Sequence, residues 1–219
     1  MTTTLNEETT DMQVELVANT PNPEEVIANA AKTCYDSPEK DLEAARKMIR
    51  AIIKSGHESC IEHATATFRL KGVSRVLTHE LVRHRLCSFS QRSQRYVKEN
   101  EPSYVIPDVL LGDNIVDQKL LLAKDMFEKA MQNAWDAYSL LLSYGLKPED
   151  ARFVLPNACT TEIVVSANFR EWRNFLKLRL SKRAQWEIRK AANLILAHLC
   201  EIAPSCFEDL KDEANIQNT

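Results

Sequence analysis

The sequence predicts an α+β protein of one domain, from three observations. The 219 residues are 44% hydrophobic, enough to bury one ordinary core. Apolar residues recur at three and four over several long stretches, while strict alternation is confined to a few short ones at irregular distances. No internal repeat and no low-complexity run appears, and the strands do not alternate regularly with helices as a parallel sheet requires.

Residues 1 to 11 are polar and patternless, and Met12 to Ala18 alternates as a first strand. Asn22 followed by Pro23, Glu24 and Glu25 starts a helix reaching about Tyr35, with the proline in the first turn and acids at the positive end. Ser37-Pro38-Glu39 repeats that logic for a second helix, whose apolar positions Leu42, Ala45, Met48, Ile49, Ile52 and Ile53 lie on one face; Gly56 closes it. Ala64 to Lys71 alternates as a half-buried strand ended by Gly72. Val73, Val76, Leu77, Leu81 and His84 then mark one face of a helix that delivers Arg83 and Arg85 at its C-terminal end.

Pro102 to Pro107 is a candidate short strand, and Asn114 is placed as the cap of the longest helix, which runs to about Tyr144 and stops at Gly145. Its broad apolar stripe, from Leu120 to Leu142, suits either a core or a contact between subunits. Lys147-Pro148-Glu149-Asp150 starts a helix carrying Arg152, and β-branched residues mark a strand from Thr160 to Ser166. Asn168 opens a basic helical segment. A last helix reaches Ile202, Pro204 halts it, and the tail beyond Lys211 is expected to fray.

Composition excludes several function classes. No apolar run approaches the roughly 20 residues that span a bilayer, and the N-terminal residues carry acids where a signal peptide carries bases, so no membrane role and a cytoplasmic setting are expected. The cysteines at 34, 60, 87, 159, 200 and 206 form no CxxC pair and are expected as reduced thiols, mostly buried. With four glycines there is neither a GxGxxG nor a GxxxxGK loop, so phosphate recognition falls to arginines and helix ends. A net charge of −3 argues against nucleic acid as the partner.

Against that acidic balance stands one basic stretch, RHRLCSFSQRSQRY, from Arg83 to Tyr96. Over residues 69 to 98, eight lysines and arginines face one acid, Glu80. Guanidinium forks suit phosphate and carboxylate oxygens, while Ser and Gln offer neutral hydrogen bonds and Phe89 and Tyr96 a stacking face. The stretch therefore reads as an anion site suited to a nucleotide, with a solvated basic face as the plain alternative. Upstream, His57-Glu58-Ser59-Cys60-Ile61-Glu62-His63 suggests a metal, but its spacing differs from the HExxH that places two imidazoles on one helix face, so no metal is assigned.

The Arg83-His84-Arg85 triplet, followed after seven residues by Ser93-Gln94-Arg95-Tyr96, resembles the signature of flavin-dependent thymidylate synthases. The segment around His57 to His63 is similar to the family's HE-(S/T)-x-x-EH run, and Ala151-Arg152 to its A-R-x-V-L-P stretch. Asn168, Arg170, Asn174, Phe175, Leu176, Leu178 and Arg179, followed by Ala184 to Glu187, resemble its second region, N-x-R-x-x-x-N-F-L-x-L-R and A-Q-W-E. The likeness covers most of residues 56 to 190. It implies a mostly antiparallel sheet surrounded by helices, and an enzyme that makes dTMP from dUMP with methylenetetrahydrofolate as carbon donor, FAD as hydride carrier and NADPH as reductant. It also implies a homotetramer with active sites shared among chains, and no covalent enzyme nucleophile.

Carried over by position, the resemblance gives FAD the contacts Ser59, Arg83, His84, Arg85, Gln91, Asn168, Arg170 and Asn174. It gives dUMP Glu80, Arg83, Gln91, Ser93, Gln94, Arg95, Arg152 and Arg179, with Arg179 as the catalytic group favouring the N3-ionised pyrimidine. Two positions depart from the pattern: Glu80 stands where some members have glutamine, and Gln91 replaces an acid. An RNA-binding module built on the basic loop, and a hydrolase or transferase using Cys87 beside His84, are the rival readings.

Overall fold

The computed structural model describes residues 11–35, 41–99, 103–111 and 117–211. Among the described residues there are four strands, β1 (Gln13–Asn19), β2 (Thr65–Ser74), β3 (Ser88–Gln91) and β4 (Thr160–Asn168), in one antiparallel sheet of order β1-β2-β4-β3. The helices are α1 (Pro23–Tyr35), α2 (Leu42–Lys54), α3 (Arg75–Leu81), α4 (Gln118–Ser143), α5 (Pro148–Ala151), α6 (Phe169–Arg179), α7 (Trp186–Ile202) and α8 (Pro204–Phe207). The class is α+β, as the periodicity predicts.

Local chemistry explains the boundaries. Asp41 accepts from the Ala44 N–H to cap α2, and Asp117 accepts from Lys119 to cap α4. The expected caps Ser37-Pro38-Glu39 and Asn114 lie outside the described residues. Gly56 follows α2 at φ 79° and Gly145 follows α4 at φ 88°, left-handed positions where a side chain would be strained. β4 alternates cleanly, with Thr161, Ile163, Val165 and Ala167 buried.

Three expectations are corrected. β2 does not end at Gly72 but runs through it to Ser74, with Gly72 at φ 66°. α3 consequently spans only Arg75 to Leu81, and the Arg83 triplet lies in the tight turn beyond it, where Arg83 N–H donates to the Glu80 carbonyl and His84 N–H to the Leu81 carbonyl. Part of the serine-rich segment is strand β3 rather than loop. α7 ends at Ile202 as expected, and Pro204 then opens the short helix α8.

Contacts among the described residues gather into two compact units, one within residues 11–12, 71–79 and 91–163 and the other within residues 13–70, 80–90 and 164–211. The first has a core of Met131, Trp135 and Tyr138 from α4 against Ala151 and Cys159, with Trp135 and Tyr138 edge to face at 5.6 Å. The second buries Phe68, Trp172, Phe175, Leu176 and Ile195 completely. Trp172 meets Phe68 edge-on at 5.1 Å and donates its indole N–H to the Ala66 carbonyl at 3.0 Å, so its polar atom is satisfied inside the core. Each such aromatic contributes about 1.5–3 kcal/mol by burial, and together they fix the rotation of α6.

Candidate active site

That rotation decides what α6 presents. Its buried stripe is Phe169, Trp172, Phe175 and Leu176, so Arg170, Asn174 and Lys177, spaced at four and three, must emerge together on another side. They do, lining a cavity of about 670 Å³ with Asn168, Glu171, Leu86, Glu58 and Glu62. Asn168 caps α6, its side chain accepting from the Glu171 N–H at 2.9 Å. The cations are held by acids of the 3₁₀ turn Glu58–His63: Arg170 donates to Glu62, and Lys177 to Glu58 at 3.2 Å. Ser59 lies exposed on that same turn.

The triplet divides. Arg83 and Arg85 are exposed while His84 is 6% exposed, with its ring against Phe175 at 5.0 Å. Its Nε2 accepts from Arg179 Nε at 3.1 Å, and its Nδ1 lies 3.5 Å from the buried Glu171 carboxylate. Burial, and after it the Arg179 guanidinium, holds His84 below the usual imidazole range, against the opposing pull of Glu171. Two outward cations thus flank one inward neutral ring, where sequence alone gave three adjacent cation-capable residues.

Arg179, at the end of α6, also donates through Nη1 to Glu80 Oε2 at 2.7 Å and through Nη2 to the Glu80 carbonyl at 3.4 Å. Glu80, a departure from the family pattern, is thereby the counter-charge of Arg179. Cys87 is buried with its Sγ 4.0 Å from Glu171, and burial followed by that carboxylate pushes its thiol up to about 12.

The other predicted residues belong to the first unit. Gln91 donates its amide to Thr78 at 3.1 Å and Thr161 at 3.3 Å. Ser93 Oγ accepts from the Arg95 N–H at 3.2 Å. Arg95 pairs with Glu149 at 2.7 Å, its guanidinium over the Tyr96 ring, and Arg152 Nε reaches the Glu149 carbonyl at 3.2 Å, so Glu149 gathers both arginines. Gln94 is 6% exposed, and its Nε2, like Arg75 Nε, is a buried donor without an acceptor.

Sequence reasoning missed Glu171, Glu149 and the orphaned donor of Arg75. The Asn168-x-x-Glu171 spacing of a capping box was a signal for Glu171, but it announces a helix start rather than a carboxylate turned toward a histidine. Among the described residues, no cluster of three or more His, Cys, Asp or Glu is placed to hold a metal, and no helix is long and apolar enough to cross a membrane.

Residues 15–205 match the family described as thymidylate synthase complementing protein. The chain is 42% identical over 223 residues to a flavin-dependent thymidylate synthase of Clostridium tetani, covering 91% of this chain and 87% of that one. It is 42% identical to the protein of the same title from Geobacter sulfurreducens, with 90% and 86% covered. For the one from Saccharolobus solfataricus the identity is 40%, with 90% and 76% covered.

Proposed function

The chain belongs to the flavin-dependent thymidylate synthase family, and on that premise we propose that it is the enzyme converting dUMP to dTMP, with methylenetetrahydrofolate as carbon donor, FAD as its flavin and NADPH as reductant. The observation that carries this reading is the cavity beside α6. Asn168, Arg170 and Asn174, three positions the family pattern gives to the flavin, line it together.

These residues fit a dinucleotide. Amides and a guanidinium offer donors for phosphate and ribityl oxygens, Lys177 adds a point charge, and Leu86 adds apolar surface. Arg170 and Lys177 already hold acids, so an entering phosphate exchanges one anion for another and requires no new desolvation of a bare cation. Arg83 and Arg85, exposed on the turn beyond α3, are the further donors. Bound FAD supplies hydride transfer, chemistry that no side chain offers.

Ser93, Gln94, Arg95 and Arg152 are proposed to hold dUMP, whose oxygens provide acceptors for the orphaned donors of Gln94 and Arg75. Arg179 stabilises the N3-ionised pyrimidine with a fixed positive charge. No enzyme nucleophile takes part: a Cys87 thiol pushed up to about 12 carries almost no thiolate at neutral pH. Gln91, with its amide donors committed to Thr78 and Thr161, acts as a support rather than as a free donor.

Both units are read as one catalytic domain of a cytoplasmic homotetramer with shared active sites. The support is α4, where Leu121, Leu122, Met126 and Leu140 are between 50% and 66% exposed in the isolated chain. The test is the flavin spectrum of the purified protein and dTMP formation from dUMP, methylenetetrahydrofolate and NADPH. Flavin titration of an Arg83→Ala, Arg85→Ala double variant should show much weaker binding; unchanged affinity removes the triplet from the flavin site. Light scattering that gives a fully active monomer removes the tetramer.

A further inference from the structure

We propose that Glu171 is a positioning residue: it receives the Nδ1 proton of His84, fixes that ring as the neutral tautomer with a bare Nε2, and through that nitrogen holds Arg179 in place. The functional part of this rests on the reading of Arg179 as the group at the pyrimidine.

The argument starts from donors and acceptors. A guanidinium only donates. Arg179 Nε stands 3.1 Å from His84 Nε2, so Nε2 must accept and carries no proton. A neutral imidazole then has its proton on Nδ1. The group facing Nδ1 is Glu171 Oε1 at 3.5 Å, a carboxylate that only accepts when ionised. A proton on Nε2 would instead set one N–H against another, and a doubly protonated ring would do so with an added charge.

Glu171 is equipped to hold that position. It is 4% exposed, stands in the first turn of α6 where the helix favours negative charge, and accepts from Asn174 Nδ2 at 3.2 and 3.4 Å. Phe175 meets the His84 ring edge-on at 5.0 Å and restrains it from turning. A continuous chain results: Asn174 to Glu171, Glu171 to His84, His84 to Arg179, Arg179 to Glu80. Its first two members line the cavity beside α6. Glu171 therefore ties the orientation of Arg179 to the wall of the proposed flavin site, without itself touching the pyrimidine.

The test is nitrogen NMR of the ligand-free protein labelled in its histidines, at about pH 8, above the usual imidazole range. The His84 signals are assigned by their loss in His84→Asn. A pyrrole-type signal at Nδ1 and a pyridine-type signal at Nε2 are expected. Glu171→Ala should shift the proton toward Nε2 and lower kcat by about 100-fold, the scale of a misplaced catalytic group, with a much smaller change in KM for dUMP. Glu171→Gln, whose amide oxygen still accepts, should keep the tautomer and recover most of the rate. A wild-type ring protonated at Nε2, or at both nitrogens, overturns the proposal, as does an unchanged tautomer in Glu171→Ala. Should the alanine variant fail to fold, the wild-type spectrum and the glutamine variant still decide. The spectrum needs neither flavin nor substrate, so the expected signals in a protein that makes no dTMP support the tautomer and dismiss only the functional reading.

Discussion

Arg173 forks onto Asp209, Nη1 to Oδ1 at 2.7 Å and Nη2 to Oδ2 at 2.6 Å, from a side chain that is only 2% exposed. The same guanidinium donates to the Cys206 carbonyl and to Glu58 at 3.3 Å. A buried arginine is tolerated only when its donors are met, and here one residue of α6 joins the 3₁₀ turn Glu58–His63 to the segment around α8. Asp209→Ala should therefore destabilise the protein by about 1.5–3 kcal/mol, the range for a lost hydrogen bond to a charged group. Urea denaturation measures it. A loss below about 0.5 kcal/mol, ordinary for a surface change, would mean that Glu58 and the Cys206 carbonyl suffice.

Much of this was legible in the sequence, and the exceptions have physical causes. The amphipathic helices, the glycines that follow α2 and α4 and the strand from Thr160 announced themselves by period and by glycine. The short α3 did not, because Gly72 looks like a strand end when it permits a left-handed residue within β2. Burial of His84 between two exposed arginines was equally hidden: three cation-capable residues in a row read alike until the fold turns one of them inward. Arg173 and Glu171 look like surface charges of an amphipathic helix, and only their partners far along the chain, Asp209 and His84, make them interior.

Glu80 and Arg179 allow a prediction about substrate affinity. Glu80 offsets the charge that is meant to meet an anion, from 2.7 Å and with 31% of its side chain exposed. Glu80→Gln keeps a hydrogen-bond acceptor there and removes the negative charge. A partly exposed pair of this kind contributes about 0.2–1 kcal/mol, so the variant should bind dUMP roughly two- to fivefold more tightly by calorimetry, with the gain shrinking as salt rises. Weaker binding would show instead that the Glu80 carboxylate itself contacts the base.

Stability should pass through a plateau bounded by His84 on the acid side and by buried thiols on the alkaline side. His84 is held below its ordinary value, so as pH falls below about 6.5 the unfolded chain takes up a proton that the native ring refuses. Stability then decreases with falling pH. Cys87 and Cys206 are pushed up to about 12 and Cys159 to about 11, from an ordinary 9.0. Their contribution is fully present below 9.0 and is lost as pH rises toward those values, since the unfolded chain releases protons that the native state retains. Urea midpoints across the range should trace both limbs. Cys206→Ala should flatten the alkaline one, and a midpoint that does not fall below about pH 6.5 would mean that the native His84 accepts its proton freely.

Arg179→Lys separates charge from geometry at the proposed catalytic group. Lysine keeps a positive charge but loses the fixed fork that reaches His84 Nε2 and the Glu80 carboxylate at once, and a flexible ammonium cannot hold both directions. An interaction that favours the ionised pyrimidine contributes more in the transition state than in the ground state, so its loss lowers the chemical rate more than nucleotide affinity. The expected result is a fall of about 10- to 100-fold in the single-turnover rate of methyl transfer, in the range ascribed to one preorganised electrostatic donor or somewhat below it. The Kd for dUMP should change only severalfold, and NADPH oxidation without dUMP should be little altered. If the variant instead weakened dUMP binding and left the chemical step intact, Arg179 would be an anchor for the nucleotide, and the relay from Glu171 through His84 would serve binding rather than catalysis.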